Sequence, residues 1–319
     1  MVSGYQKSDV DVVVLSYNHV LFIERCISSI VSQETDYAIN ILIADDCSTD
    51  GTAELVKSLM GKYKNLYLIQ QERNVGSIEN ARNVISQCQS PYLAFCEGDD
   101  FWIDEKKIQI QLDYLKANSE YGMVHGDVVY FDNNKGQMSE SANHSKGVSF
   151  PSGYIFNEYL VSDKLFIYTA SVAVRRELFV LCSDYNLFKE RNWLAQDLPT
   201  WLAIAQQTKI GYLDKVLSAY RLSDESASRS RSPEYTHIFH QSIFDVRFYF
   251  WNKYSQDKKM KSELDYLYSI SLLADLRLLR SRKIWKELTE LKKRGQISWG
   301  VKRWMQYVYL SLFVFIKSK

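Results

Sequence analysis

Tyr92-Leu93-Ala94-Phe95-Cys96-Glu97-Gly98-Asp99-Asp100-Phe101-Trp102 decides how this chain is read. Tyr92 to Cys96 is a short apolar run of the kind that fills a buried strand. Three carboxylates in the next four positions end it. Side by side they repel one another and resist burial, so either a positive charge offsets them or water solvates them. Hard oxygen ligands of this type suit Mg²⁺ or Mn²⁺; Mg²⁺ takes one or two protein carboxylates and completes its shell with water and substrate phosphates. Gly98, between the acids, permits a tight turn and a close approach by ligand. A solvated acidic turn capping the next helix explains the same residues, and the motif alone does not choose between the two.

Upstream, the pattern of strand followed by polar turn recurs. Val10 to Leu15, Ile39 to Ala44 and Leu66 to Ile69 read as strands. Between them lie helical stripes: Ile23, Ile27, Ile30 and Val31; Leu55, Val56 and Leu59; and Ala81, Val84, Ile85 and Cys88, with Ser77 as a cap. Ile108, Leu112 and Leu115 mark a further helix after the acidic motif. This alternation implies an α/β fold with a parallel sheet covered by helices. Such sheets bind ligands at the carboxyl ends of their strands. Asp45-Asp46 and Glu97 to Asp100 both fall at strand ends. Farther on, Met123 to Phe131, Ile167 to Val174 and Tyr212 to Leu222 read as strands, and Trp193 to Ala205 as a helix. Asp132 to Pro151 and Ser223 to Pro233 read as loops, and the chain from Tyr235 onward as aromatic helices.

Lys+Arg 39 against Asp+Glu 38 leaves a net charge of +1, which argues against a dedicated nucleic-acid binder. Cys26, Cys47, Cys88, Cys96 and Cys182 are odd in number and form no CxxC pair. Neither a disulfide framework nor a zinc site is expected, and a reducing compartment is the simplest reading. The first apolar run is short and interrupted by Asp11, unlike a secretory signal. A cytoplasmic location is therefore expected. Met305 to Ile316 is apolar and aromatic but falls short of the ~18 residues of a spanning helix. With Lys302, Arg303 and Trp304 before it and Lys317 and Lys319 after it, the run suits the inner membrane surface. A helix docked on the protein's own core, or a homo-oligomer interface, fits equally well.

Three more groups carry chemistry. Asp45 and Asp46, beside Ser48, Thr49 and Asp50, can accept from a base N–H or a ribose hydroxyl. Helix capping is the alternative, and for Asp50 the favoured one. Asp197, near Trp193 and Trp201, would be partly desolvated, which raises a carboxyl toward a useful base, while tryptophan faces stack on sugar rings. The alternative is an N-cap, with Pro199 in the first turn. The histidines read as structural. His237 and His240 share a helical face without an evident third ligand, His125 lies near Asp127, and His19 follows Tyr17-Asn18.

Taken in order, Val12 to Asn18, Asp45 to Thr52, Cys96 to Trp102 and Gln196 to Pro199 resemble the family-two glycosyltransferases of the GT-A fold. The likeness runs from about Val10 to Ser228. It implies a nucleotide-diphospho-sugar transferase fold over residues 1–232, with a mostly parallel central sheet. Residues 233–319 would form a helical C-terminal region, membrane-associating or oligomerising. It implies an inverting, metal-dependent enzyme that moves a sugar, from a UDP-sugar above all, to a hydroxyl of a glycan or lipid-linked glycan. Ser16, Tyr17, Asn18, Asp45 and Asp46 would hold the nucleoside side. Glu97-Gly98-Asp99 takes the place of the Asp-x-Asp motif, with Asp99 as ligand to Mn²⁺ or Mg²⁺ and Glu97 and Asp100 beside it. Asp197 matches the general base.

Three features depart from the family pattern. Leu15-Ser16 stands where a Pro precedes the Tyr-Asn pair, Glu97 replaces the first Asp, and no His follows Tyr220-Arg221. Arg221, Arg229 and Arg231 could contact phosphate instead; a solvated loop is the favoured reading of all three. Two rivals remain. One is a catalytically silent nucleotide-sugar-binding subunit of a glycan-assembly complex, against which the retention of Asp197 and Asp99 argues. A sugar nucleotidyltransferase would want a glycine-rich loop after the first strand, where Leu15 to His19 has no glycine.

Overall fold

The computed structural model describes residues 5–143, 145, 147–222, 232–279, 281–293, 303–308 and 310. The chain forms two compact units. The first comprises Met1–Phe156, Lys164–Arg191 and Thr200–Ser223; the second comprises Asn157–Asp163, Asn192–Pro199 and Asp224–Lys319.

In the first unit, β1 (Val10–Ser16), α1 (Ile23–Val31), β2 (Ile39–Asp45), α2 (Thr52–Met60), β3 (Leu66–Gln70), α3 (Ser77–Ile85) and β4 (Tyr92–Glu97) follow the expected alternation. These four strands pair in parallel in the order β3-β2-β1-β4. Helices cover both faces, so the strands are apolar almost throughout instead of alternating. Val10, Val12, Val14, Ile41, Ile43, Ala94 and Cys96 pack with Ile23, Ile27 and Ile30 of α1 in one buried core. Full burial of each such Ile stabilises the fold by roughly 1.5–3 kcal/mol. All five cysteines are free thiols, and Cys26, Cys88, Cys96 and Cys182 are buried.

Beyond β4 the topology departs from the expected outline. Next come β5 (Phe101–Trp102), α4 (Lys107–Ala117), β6 (Tyr121–Asp132) and β7 (Gln137–Ser141). Thus Asp132 to Pro151 is not wholly loop: it contains β7, which pairs antiparallel with β6. After α5 (Phe156–Val161), all but its first residue in the second unit, the apolar run Ile167 to Val174 is not one strand. It makes a 3₁₀ turn at Thr169–Ser171 and only then β8 (Ala173–Arg175). β8 is antiparallel to both β4 and β6, so a three-residue strand joins the two halves of the sheet. α6 (Arg176–Cys182), α7 (Tyr185–Glu190), α8 (Asp197–Gln207, whose Asp197–Pro199 belong to the second unit) and β9 (Lys209–Leu222) complete this part. α8 starts at Asp197, so Trp193 to Gln196 lie outside it. α3 is capped by Gly76 at φ 84, with Ser77 as its first helical residue.

The second unit is helical: α9 (Pro233–Phe250), continued by a π-turn at Trp251–Ser255, then α10 (Lys258–Leu279) and α11 (Arg282–Lys293). Ser232 caps α9 by accepting from the Tyr235 N–H, with Pro233 in the first turn, as helix starts favour. Leu272, Leu273, Leu276, Ile284, Leu288, Tyr307 and Leu310 form its core. Among the described residues, no helix is long and apolar enough to cross a membrane.

Candidate active site

Parallel pairing puts the first site residues side by side. Ser16 lies opposite Asp45, and Leu15 opposite Glu97, so β1, β2 and β4 end at one carboxyl edge. The ladder continues past the strands: Asp46 N–H donates to Ser16 O (2.9 Å) and Gly98 N–H to Leu15 O (2.9 Å). The acidic loop then folds back as Asp100 N–H donates to Glu97 O (2.9 Å). A Cβ on Gly98 would sit 2.6 Å from His19 Nδ1 and 3.1 Å from Ser16 Oγ. Only glycine lets this loop lie against the end of β1.

The loops after β1 and β2 are laced together. Asn18 N–H donates to Ser48 Oγ (2.9 Å), Thr49 N–H to Asn18 Oδ1 (2.9 Å) and His19 N–H to Thr52 Oγ1 (2.9 Å). Gly51, not Asp50, is the N-cap of α2; the Asp50 carboxylate accepts from Thr52 N–H (3.0 Å) and also from Val20 N–H (3.0 Å) of the other loop. Asn18 and Cys47 adopt positive φ, 57° and 61°, to allow the lacing. Tyr17 is left 44% exposed at the rim. Asp45 accepts from the backbone and hydroxyl of Ser48. The two oxygens of buried Asp46 accept from Val75 N–H (2.7 Å) and Gly76 N–H (2.9 Å), clamping the loop before α3.

Antiparallel pairing of β5 with β9 sets Phe101 opposite Ala219, which carries Arg221 to the acidic loop. Arg221 N–H donates to Asp100 Oδ1 (2.7 Å), its Nε to the Asp99 carbonyl (2.5 Å) and its Nη1 to Asn133 Oδ1 (2.6 Å). Its guanidinium sits 4.6 Å from the Phe22 ring centroid and 5.0 Å from that of Phe131. Arg221 is therefore buried, not in a solvated loop: flanking aromatic rings and the acidic loop replace water around the cation. Arg229 and Arg231 lie outside the described residues. Burial, then Asp99 and Glu97, pushes the Asp100 carboxyl well above its ordinary value. Burial, then Arg25, lowers the Arg221 guanidinium. Asp100 Oδ2, Ser16 Oγ and His19 Nδ1 are buried polar atoms with no partner among the described residues. Among those residues no three His, Cys, Asp or Glu side chains gather as a metal cluster.

In the second unit, Asp197 opens α8, and its Oδ1 accepts from the Leu198 N–H (2.8 Å). Desolvation raises its pKa, as its neighbourhood suggested. The tryptophans do not serve as sugar platforms. Trp193 is buried and donates from Nε1 to Asp245 (2.7 Å), and Trp201 of the first unit is buried against Phe95 and Phe179. His237 and His240 converge on buried Asp275, which accepts from each Nδ1 (2.8 and 3.0 Å). His125 is packed against Phe150 and Tyr212, and burial lowers its pKa to about 3. Asp127 accepts from the Asn143 N–H and the Ser141 hydroxyl, a bracing role.

Comparison with known proteins agrees with this architecture. The family model for glycosyl transferase family 2 matches residues 11–181. An uncharacterized Mycobacterium tuberculosis protein is 34% identical over 110 residues, covering 34% of this chain and 32% of the relative. This chain thus spans about a third of that relative's length. A Bacillus subtilis glycosyltransferase, TuaG, named for teichuronic acid biosynthesis, is 24% identical over 70% of this chain and 83% of its own. S. aureus TarS 1–349, solved with UDP-GlcNAc, matches at TM-score 0.54 and 15% identity over 88% of this chain and 83% of that one. The mannosyltransferase PcManGT of Pyrobaculum calidifontis, solved with GDP-Man and Mn²⁺, matches at TM-score 0.54 and 14% identity over 100% and 90%. Those two likenesses show the fold, which is of the GT-A type. With over half of its residues inside the family match, this chain belongs to glycosyl transferase family 2.

Proposed function

We propose that this chain moves a sugar from a nucleotide-diphosphate donor to a hydroxyl of a glycan or lipid-linked glycan, with inversion. The observation that carries the reading is the convergence of Ser16, Asp45 and the Glu97–Asp100 loop on one strand edge. A UDP-sugar is the favoured donor, supported by the likeness to TarS, whose structure holds UDP-GlcNAc. Ser16, Tyr17, Asn18, Asp45 and Asp46 line the nucleoside side. Asp45 and Asp46 shape it through the loops that they brace, leaving exposed Tyr17 for contact.

The acidic loop fits a divalent cation, Mn²⁺ or Mg²⁺. Asp100 Oδ2 is buried without a partner among the described residues, and its charge is disfavoured by burial and then by Asp99 and Glu97. Asp99, with Asp100 and Glu97 beside it, would hold the ion, the rest of whose shell would come from phosphate and water. Such an ion, when bound, offsets charge on the departing diphosphate. The acceptor oxygen forms its bond to the anomeric carbon as the bond from that carbon to phosphate oxygen breaks. The acceptor proton passes to Asp197, whose raised pKa suits a general base.

A peripheral membrane contact accompanies this reading. Trp304, Met305 and Val308 are exposed, and Lys292 lies 5.7 Å from the Trp304 ring. Cationic and aromatic groups together favour an anionic lipid surface.

Asp197→Asn should keep metal-dependent UDP binding and lose transfer by about 10²–10⁴-fold. Asp99→Asn should weaken metal-dependent donor binding. Full transfer by either variant refutes its assigned role. A wild-type protein that binds nucleotide sugar but neither transfers nor hydrolyses it across a donor panel would instead be a silent subunit.

A further inference from the structure

Lys107 is an anomaly in the first unit. It is fully buried, the first residue of α4, and so at the helix end where a cation is least welcome. The only hydrogen bond of its side chain among the described residues is a long one, from Nζ to the Val172 carbonyl (3.4 Å). Nζ also sits 4.0 Å from the centroid of the Trp102 ring. A lysine placed this way is costly unless its position does something.

Trp102 links it to the site. Phe101 and Trp102 are the whole of β5, and they directly follow Asp100. The Trp102 N–H donates to Ser29 Oγ (3.0 Å) and its indole Nε1 to the Phe95 carbonyl (3.2 Å), so both ends of the acidic loop are tied to this one side chain's surroundings. Two residues of strand pairing are a weak anchor, and the loop must hold three carboxylates together against their repulsion. The ring face of Trp102 is covered by the ammonium.

We propose that Lys107 is a positioning residue for the acidic loop: its ammonium, lodged between the Val172 carbonyl and the Trp102 ring, pins β5 and thereby holds Glu97 to Asp100 in place. The placement itself is independent of the reaction, but its meaning for donor binding rests on the transferase reading. The titratable groups facing Lys107 are Cys96 on β4 and Asp104 before α4; Asp104 favours its charged form, while burial keeps the Cys96 thiol protonated and neutral. Burial nevertheless pushes the ammonium down to about 7, so the pin loosens near neutral pH as the charge is lost.

Hydrogen exchange of the ligand-free protein tests this without any donor. In the wild type, exchange of residues 97–102, corrected for intrinsic chemistry, should rise at least roughly tenfold from about pH 6 to about pH 8, while β1 stays protected. Lys107→Met should exchange fast at both pH values, and Lys107→Arg should restore slow exchange at both. A Lys107→Arg protein that exchanges as fast as Lys107→Met at residues 97–102 overturns the proposal. So does a Lys107→Met protein with wild-type protection. Failure of donor binding in the wild type, by contrast, strikes the transferase reading and leaves the exchange result to stand on its own.

Discussion

Asp46 separates a ligand-binding role from an architectural one, because both of its oxygens are already engaged. The perturbation is Asp46→Asn, which changes one oxygen to NH₂ and little else. The remaining oxygen can keep one of the bonds from Val75 N–H and Gly76 N–H, now without the charge. The other N–H then faces an amide donor. A hydrogen bond to a charged group contributes about 1.5–3 kcal/mol, and a buried N–H left unsatisfied costs about 1–3 kcal/mol. Allowing for overlap, the loss should be about 2–4 kcal/mol. Gly76, at φ 84, cannot easily shift the loop to compensate, since that backbone region is open to glycine alone at low cost. For a unit of this size, roughly 2–4 °C is lost per kcal/mol, so the melting temperature should fall by about 5–15 °C. Scanning calorimetry on the ligand-free protein reads this directly. A fall of under about 2 °C together with lost nucleotide binding would show that Asp46 works through the ligand, not the loop.

Other substitutions report on neighbouring parts. Asp100 has a raised folded pKa, so between the ordinary carboxylate value and that raised value the native state keeps a proton the unfolded chain has shed. Stability should therefore fall as pH rises through that window, and Asp100→Asn should flatten the profile in a denaturant titration while losing the response to Mn²⁺. Gly98→Ala forces His19 away from a 2.6 Å contact and should cost about 1–3 kcal/mol by the same titration. Burial opposes ionisation of Asp275, yet the bonds from His240 and His237 hold its pKa below the ordinary value. Its contribution should be intact above the ordinary carboxylate value and lost as pH falls through the lowered one. Asp275→Asn should remove that acid-limb slope and cost about 1–3 kcal/mol at neutral pH; an unchanged acid limb would count against the stabilising role of the two histidine bonds.

Much of the first unit was legible because parallel strands buried on both faces leave a strong signature. Val10 to Leu15, Ile39 to Ala44 and Tyr92 to Cys96 are apolar runs that end in polar residues at the site edge. The acids at 45, 46, 97, 99 and 100 could be assigned to strand ends for the same reason. What was hidden is what depends on pairing over long separations. β8 is three residues long and β5 two, too short for any periodicity to register. Trp193 and Trp201 look available beside Asp197 in sequence but are spent on packing, which depends on partners such as Asp245 and Phe179 far along the chain.

The sequence by itself determined the alternation of strand and helix, the strand edge proposed here as the site, and the acidic residues placed there, because each follows from local spacing and side-chain chemistry. Only the tertiary structure decided which charges are satisfied and by whom. Arg221 reads as one more loop cation until β9 pairs with β5 and sets it beneath Asp99 and Asp100. Lys107 carries no sequence signal at all, and only the fold buries it against Trp102. Electrostatic worth depends on burial and on partners brought from distant parts of the chain, and neither is a property of a residue's place in a linear pattern.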